Sequence, residues 1–335
     1  MKPRDVIVEQ IHHHETAALP YTLYFEDEVG LRLDSHYGSQ DWRWKLTQYI
    51  ACHFGITMGP TARLDPQGRD AFGSTWRGDG QTPAVVEPGL KAPTFTGYAF
   101  PAPSRFLDLA AKADIIQRLN QPSDKFRMIF QSVSLWDGWN LRGFEDTLMD
   151  CVAEESFFEE LIERMTDLCL ALVAASADVP ADAIMMGDDW GDQRGVLIGP
   201  ERWRKFFKPA YARIFAAIHA QGKIAVMHSC GSVAEIMPDI VDIGLDVLES
   251  VQPEAVGMNP YALKKAWGDK ITLWGGLGTQ QLIPRATPAE IREEIRHLRL
   301  EMYKGGGYIM APAKALRPDT PTANAVAVVE EFLAG

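Results

Sequence analysis

The fold is decided by residues 223–275, which read KIAVMHSCGSVAEIMPDIVDIGLDVLESVQPEAVGMNPYALKKAWGDKITLWG. Short apolar runs stand at the start, in the middle and at the end of this stretch: KIAVM at 223–227, DVLE at 246–249 and ITLWG at 271–275. The segments between the runs are longer and have the apolar spacing of helices. Because nothing between the runs resembles a hairpin, the pattern predicts parallel strands joined by right-handed crossovers.

The same alternation extends to both sides of this stretch. Further strands are expected at AIMM (183–186), GYIMA (307–311), PYTLYF (20–25) and FRMIFQSV (126–133), and helices over 40–54, 104–119, 143–176, 201–222 and 287–306. Seven strands are visible, an eighth is ambiguous, and no Gly-x-Gly-x-x-Gly turn suggests an open dinucleotide-binding sheet. We therefore expect an α/β protein with a (β/α)8 TIM barrel.

The amino-terminal part decorates this barrel. Residues 60–103 are rich in Gly, Pro and Thr and lack a helical period. We expect an insertion over the barrel mouth, built as a β-hairpin that contains Trp76 and Phe95. Barrels of this kind commonly exceed 250 residues as one unit, so residues 1–335 are expected to form a single domain.

Composition excludes several classes of function. The net charge of −12 argues against a nucleic-acid partner, which requires a basic face. No apolar run is long enough for a membrane span, and the charged start MKPRDVIVEQIHHHE does not resemble a signal peptide. The four cysteines are too few and too scattered for a disulfide framework, so a cytoplasmic protein is expected.

Polar groups follow nearly every predicted strand. Because the reacting groups of a TIM barrel come from the carboxyl ends of its strands, these residues predict a functional pocket. The candidate catalytic residues are Asp188, Asp189, Glu249, Gln252 and Lys314, and the candidate substrate-binding residues are Glu26, Gln131, Trp136 and Trp190. The two tryptophans are expected to form walls of the pocket.

The sharpest pair of candidates is His228 and Cys230. Residues i and i+2 of an extended segment project to the same side, so the imidazole and the thiolate can meet one metal ion. Adjacent residues point to opposite faces, so only one of Asp188 and Asp189 is expected to face the pocket. Glu249 could be a third metal ligand, a general base or the partner of an arginine.

The string from His228 to Gln280 resembles the uroporphyrinogen decarboxylase superfamily, and its methyltransferase-like branch in particular. That branch includes zinc-dependent methylcobalamin:coenzyme M methyltransferases. GDDWG (187–191) and the last-strand segment 306–321 are similar to two further motifs of the branch. True uroporphyrinogen decarboxylases carry an arginine-rich segment near the start, whereas residues 19–30 here read LPYTLYFEDEVG. That acidic segment would repel a substrate with eight carboxylates, so a role in haem biosynthesis is not expected.

The resemblance leaves zinc open. Related methyltransferases hold zinc with His-x-Cys and a second cysteine after the last strand, where this chain reads MAPAKAL with Lys314. Either Glu249 or one of Asp188 and Asp189 completes a zinc site, or no stable zinc binds. Without zinc, the methyl donor could be activated by protonation of its leaving group by Asp188, Glu249 or Lys314, or a bound folate could be protonated at the carboxylate-lined floor of the pocket.

The resemblance implies a corrinoid-dependent methyltransferase component. It would move a methyl group between a small methylated compound or acceptor and a separate corrinoid protein, since no Asp-x-His-x-x-Gly motif for cobalamin is present. A homodimer is plausible from the habit of the family. The alternative enzyme is a decarboxylase or other lyase that acts on a small carboxylic acid. A barrel that only binds or scaffolds is disfavoured by the ionisable groups at the strand ends.

Overall fold

A computed structural model describes residues 1–77 and 84–334. Its strands are β1 (Ile50–His53), β2 (Thr75–Trp76), β3 (Val85–Glu87), β4 (Phe126–Gln131), β5 (Ala183–Gly187), β6 (Ile224–His228), β7 (Val247–Val251), β8 (Thr272–Leu277) and β9 (Tyr308–Pro312). Its helices are α1 (Pro3–Ile11), α2 (Asp27–Tyr37), α3 (Asp41–Lys45), α4 (Leu109–Leu119), α5 (Trp139–Arg142), α6 (Phe144–Ala153), α7 (Glu155–Ala175), α8 (Pro200–Arg202), α9 (Lys208–His219), α10 (Met237–Asp242), α11 (Pro260–Trp267), α12 (Leu282–Arg285), α13 (Pro288–Met302) and α14 (Thr322–Leu333).

Seven strands form one parallel sheet in the order β1-β4-β5-β6-β7-β8-β9. Apart from the excursion between β1 and β4, this order follows the chain, and helices connect the strands as expected for crossovers. The pairing places Gly187 beside His228 and His228 beside Glu249. The carboxyl ends of β5, β6 and β7 therefore lie at one level.

The predicted strand at 20–25 does not form a regular strand. It makes two isolated parallel bridges, Tyr21 with Met310 and Phe25 with Leu316, so it runs beside β9 and its continuation. On the side of β1, the Tyr21 hydroxyl accepts a hydrogen bond from the backbone N–H of Thr47 at 2.8 Å. The pairing with β9 is interrupted because Pro312 ends that strand before the second bridge is reached.

The predicted helix at 40–54 is wrong over its second half. Helix α3 ends at Lys45, and β1 begins at Ile50 and pairs with Phe126 of β4. Pairing with β4 at the edge of the sheet decides the conformation of this short segment. It supplies a strand that the sequence analysis had not located. The long helix expected over 143–176 is divided at Glu154, where the backbone leaves helical geometry between α6 and α7.

The other predicted helices occur with changed bounds, and the one over 201–222 is divided into α8, a π-helical turn at 203–207 and α9. In α4 the helix begins at Leu109, later than expected, because the Asp108 carboxylate caps it by accepting from the backbone of Ala111 at 2.9 Å. Helix α13 begins with the reciprocal capping box of Thr287 and Glu290. No helix within the described ranges is long and apolar enough to cross a membrane.

The segment 60–103 contains the expected hairpin in a short form. Strands β2 and β3 pair antiparallel, and Trp76 belongs to β2. Phe95 lies outside this hairpin and instead stacks on Phe157 of α7, with ring centroids 5.2 Å apart. Residues 78–83, between the two strands, lie outside the described ranges.

Candidate active site

A cavity of about 360 Å³ opens at the carboxyl ends of β4, β5 and β6. Its lining comprises Ser134, Trp136, Asp137, Trp139, Phe144, Gly187, Asp188, Asp189, Leu197 and His228. This is the edge of a parallel sheet at which reacting groups are expected in α/β folds. The position of the cavity thus follows from the strand register, which brings three strand ends to one level.

Three potential metal ligands meet at the rim of this cavity. We name Asp189, His228 and Cys230 the rim cluster; one donor atom from each lies within 4.8 Å of the other two. The Cys230 Sγ is 3.0 Å from Asp189 Oδ1, and His228 Nε2 is 3.8 Å from the same oxygen. A carboxylate, an imidazole and a thiol form a set that suits a catalytic zinc ion, which takes three protein ligands and keeps one position open.

The turn after β6 places Cys230 in the rim cluster. Gly231 adopts φ 78°, and a Cβ there would lie 2.5 Å from the carbonyl oxygen of Gly191. Only glycine fits this close approach in the left-handed region. The N–H of Gly231 donates to the Gln252 side-chain oxygen at 3.1 Å, so the buried Gln252 positions the turn and does not reach the cavity lining.

Glu249 lies behind His228, where its carboxylate accepts a hydrogen bond from Nδ1. Burial acts to lower the pKa of His228, but the charge of Glu249, the hydrogen bonds with Cys230 and Glu249 and the charge of Asp189 together raise the pKa to about 10. With Nδ1 held by Glu249, Nε2 is the nitrogen that faces Asp189. A carboxylate that orients a histidine in this way is the usual partner of a metal-binding imidazole.

Deeper in the cavity lie Asp137 and Asp188, here named the inner carboxyl pair. Asp188 is buried, and it accepts from the Trp136 backbone at 3.1 Å and from the Tyr211 hydroxyl. Desolvation raises the pKa of Asp188 to about 7 and that of Asp137 to about 6. Ser134 bonds to Asp137 through its N–H at 2.7 Å. The pair therefore keeps protons at a pH where ordinary carboxyls are ionised.

The structure differs from the sequence analysis on Asp188 and Asp189. We expected only one of them to face the pocket, yet both line the cavity. The reason is that β5 ends at Gly187, so the two aspartates lie beyond the strand and do not obey its alternation. Asp189 is exposed and points to Cys230, whereas Asp188 is buried and points to Tyr211.

The four candidates for substrate binding have different positions. Trp136 lines the cavity, while Trp190 is fully buried behind it and donates its indole N–H to Asp188 at 3.3 Å. Gln131 is buried and donates to the Val133 carbonyl at 3.2 Å. Glu26 is exposed immediately before α2. Of the four, only Trp136 belongs to the cavity lining.

Lys314 lies in the loop after β9 and is exposed. It does not belong to the cavity lining. The sequence analysis missed Asp137, Ser134 and Tyr211, and also Trp139, Phe144 and Leu197 of the lining. The first two follow β4 in a loop, and Tyr211 lies on α9 within an ordinary amphipathic pattern, so no local signal marked them.

Comparison with known proteins identifies the family of this chain. The sequence matches the uroporphyrinogen decarboxylase (URO-D) family over residues 80–333. The methylcobamide:CoM methyltransferase MtaA of Methanosarcina barkeri is 26% identical over 249 residues, which are 69% of each chain. The uroporphyrinogen decarboxylase of Bacillus anthracis is 29% identical over 186 residues, 55% of this chain and 49% of the relative.

Among solved structures, a methyltransferase from Methanosarcina mazei superimposes with a TM-score of 0.72 at 17% identity, covering 99% of this chain and 98% of the other. This likeness shows a shared fold. The named relatives are enzymes, methyltransferases and decarboxylases, which confirms the expectation of an enzyme. The resemblance drawn from residues 228–280 is likewise confirmed: the chain belongs to the uroporphyrinogen decarboxylase (URO-D) family.

Proposed function

We propose that this protein is a methyltransferase that moves a methyl group between a small molecule in the cavity and a separate corrinoid protein. The observation that carries the proposal is the rim cluster, in which Asp189, His228 and Cys230 converge beside the cavity with Glu249 behind the histidine. The similarity to a methylcobamide:CoM methyltransferase over 69% of both chains supports the same reaction class.

We further propose that the rim cluster holds zinc. Asp189 takes the place of the missing second cysteine, since its carboxylate already lies 3.0 Å from the Cys230 sulfur. Glu249 then acts as the partner that orients His228, and Lys314 is not needed as a ligand. When bound, zinc would supply a Lewis acid that lowers the pKa of a thiol or polarises a leaving group.

The residues of the chain divide the remaining work. Glu249 holds His228 so that Nε2 faces the rim cluster, and Gln252 fixes the turn that carries Cys230. Asp188 holds Trp136 through its backbone N–H, which keeps that indole in the cavity wall and excludes water from one side. The protons held by the inner carboxyl pair are available to a leaving group in the cavity.

We propose that the mouth of the barrel has one covered side and one side at which a protein partner binds. We propose that residues 20–25 close the sheet as an eighth, incomplete strand of a (β/α)8 barrel, because they bridge to β9 and hydrogen-bond toward β1. Trp76 would cover one side of the mouth, since it packs on Trp139 of the cavity lining with ring centroids 5.7 Å apart. The other side is left for the corrinoid protein.

We also propose a cytoplasmic location, supported by four unpaired cysteines. A single domain over 1–335 and a homodimer remain predictions.

The function is tested by incubating the protein with cob(I)alamin and a panel of methylamino, methoxy and methylthio compounds, and following methylcobalamin by its absorbance. We expect transfer from at least one class and its loss in His228→Ala. If no compound transferred a methyl group in either direction and carboxylic acids released CO2, the lyase alternative would replace the proposal.

A further inference from the structure

One wall of the cavity is aromatic and rigidly supported. Trp139 and Phe144 meet edge to face with ring centroids 6.0 Å apart, and Trp76 packs against Trp139 from behind. Trp136 packs on the buried Phe207 with centroids 5.2 Å apart. Three aromatic side chains are therefore held at the cavity by neighbours, and Phe144 keeps 45% of its surface exposed for a ligand.

The titratable groups in the rest of the lining are three aspartates and His228, and His228 is paired with Glu249. Asp137, Asp188 and Asp189 face the cavity, and its described lining contains no lysine or arginine. Arg142 follows Trp139 closely in the chain, but it is buried and its Nε donates to Asp150 at 2.8 Å. A zinc ion in the rim cluster would be offset by the charges of Asp189 and the Cys230 thiolate. The inner carboxyl pair then adds two acidic groups to the cavity and no cationic one.

The proposed methyl transfer leaves the chemical class of the small molecule open, and on that basis we propose that the cavity binds a compact methylated cation, an ammonium or sulfonium group, against Trp136, Trp139 and Phe144. Aromatic faces and carboxylates both attract such a cation, and aromatic cages are a known means of binding methylated ammonium groups. The volume of about 360 Å³ lies at the lower end of about 300–1,000 Å³ for small-molecule sites, which favours a compact ligand.

The same lining disfavours anions. A sulfonate or carboxylate would meet the charge of Asp189 and of any ionised inner carboxyl, and the one basic side chain of the described lining, His228, is already engaged by Glu249. In transfer from the proposed cation, the bond between the methyl carbon and nitrogen or sulfur breaks. Its electron pair stays on that atom, which leaves as a neutral amine or sulfide. The reduced corrinoid of the partner protein supplies the electron pair for the new bond to the methyl carbon.

Binding of matched ligands to the purified full-length protein tests this inference. The probes are choline, its uncharged counterpart 3,3-dimethylbutan-1-ol and the matched anion 3,3-dimethylbutanoate, which carries no thiol, measured by calorimetry without any corrinoid. Trimethylsulfonium and tetramethylammonium then distinguish the two onium classes. We expect choline to bind at least about tenfold more tightly than the alcohol, and the anion to bind more weakly than both. Equal binding of choline and the alcohol, or preferred binding of the anion, would overturn the inference.

Variants of the exposed ring provide a control for folding. Phe144→Leu keeps an apolar side chain but removes the aromatic face, so it should weaken choline binding about 5–30-fold and leave the alcohol within about twofold. Phe144→Tyr should retain the wild-type preference for choline. A loss of affinity that is equal for choline and the alcohol in Phe144→Leu would contradict the cation site.

The outcomes separate this inference from the proposed function. Choline binding without methyl transfer to cob(I)alamin would leave the cation site standing and remove the methyltransferase. Transfer from methoxy or thiol compounds without choline binding would keep the methyltransferase and remove the cation site.

Discussion

The rim cluster and the inner carboxyl pair lie in one cavity but are built in opposite ways. The rim cluster is at least partly exposed, and its three donor atoms face one another within 4.8 Å. In the inner carboxyl pair, Asp188 is buried and accepts from Tyr211 and Trp190, and Asp137 accepts from Ser134. The rim donors thus contact one another at an accessible edge of the cavity, while the inner carboxyls are held by hydrogen bonds from the surrounding protein.

This difference shows that adjacent residues can take separate roles. Asp188 and Asp189 follow β5 directly, yet one supports the cavity from inside and the other completes the rim cluster. A metal ion needs accessible, deprotonated donors, whereas a carboxyl that holds a proton near neutral pH needs desolvation. The end of β5 supplies both environments within two residues.

The largest effect is expected from removal of a rim ligand. Cys230→Ala leaves Asp189 and His228 as the only two donors of the cluster, which are too few for a stable catalytic zinc site. Loss of partners outside the ligand shell already costs about 10–100-fold, so zinc affinity and methyl transfer should each fall at least about 100-fold. Zinc content is measured by elemental analysis after dialysis, and activity by methylcobalamin absorbance.

Cys52→Ala is the matched control for this variant. Cys52 is also a half-buried, unpaired cysteine, but it lies within β1, and burial raises the pKa of its thiol to about 12. The control should retain zinc and activity within about twofold. Equal zinc content in wild type and Cys230→Ala would remove Cys230 from the proposed metal site.

A smaller effect is expected from the partner of His228. Glu249→Gln preserves size and one acceptor oxygen but removes the negative charge that strengthens the imidazole as a ligand. Zinc affinity should fall about 10–100-fold while stoichiometric binding persists at saturating zinc. Competition with a chromophoric chelator measures this affinity. A variant that binds no zinc at any concentration would make Glu249 a ligand and not an orienting partner.

The sequence predicted the rim cluster better than the inner carboxyl pair. The sequence analysis could identify the rim residues because they lie at or just beyond the ends of regular strands, which apolar runs mark. These residues are His228, Cys230 and Asp189. Asp137 lies six residues beyond the end of β4 in a short helical turn, and Tyr211 comes from α9. Their contact depends on how α9 packs against the sheet, and no local periodicity encodes that packing.

The strands, like the site residues, could be predicted in one part of the chain and were harder to assign in another. The five strands predicted after residue 180 are all present in the structure, because continuous apolar runs between amphipathic helices identify buried parallel strands. The segments at 20–25 and 50–53 were harder to assign. One makes only two bridges and the other has four residues, so their conformation depends on the neighbouring strands and not on their own pattern.

The inner carboxyl pair should be visible in the pH dependence of stability. The pKa of Asp137 is raised from 3.8 to about 6, so its stabilising contribution is complete below about pH 4 and is lost as the pH rises through about 6. Asp137→Asn stays neutral at every pH. Its free energy of unfolding, relative to wild type, should therefore increase by about 2 kcal/mol between pH 4 and pH 7.

Urea unfolding at several pH values measures this difference. Asp146→Asn is a suitable control, because Asp146 pairs with the buried Arg142 while its own side chain is 40% exposed. The control should show no comparable increase above pH 4. A difference between Asp137→Asn and wild type that is independent of pH would mean that Asp137 is ionised throughout, and the contrast with the rim cluster would be lost.

The smallest effect is expected at Lys314, which occupies the loop where related methyltransferases carry a cysteine. Lys314 is exposed and lies outside the cavity lining, whereas Asp189 already lies 3.0 Å from the Cys230 sulfur. Lys314→Ala should therefore change activity by less than about twofold and the free energy of unfolding by less than about 0.5 kcal/mol. Lys304→Ala provides the comparison, because Lys304 is also exposed and lies just before β9 in the chain. A tenfold loss of activity confined to Lys314→Ala, with zinc content unchanged, would show that Lys314 takes part in the reaction together with the rim cluster.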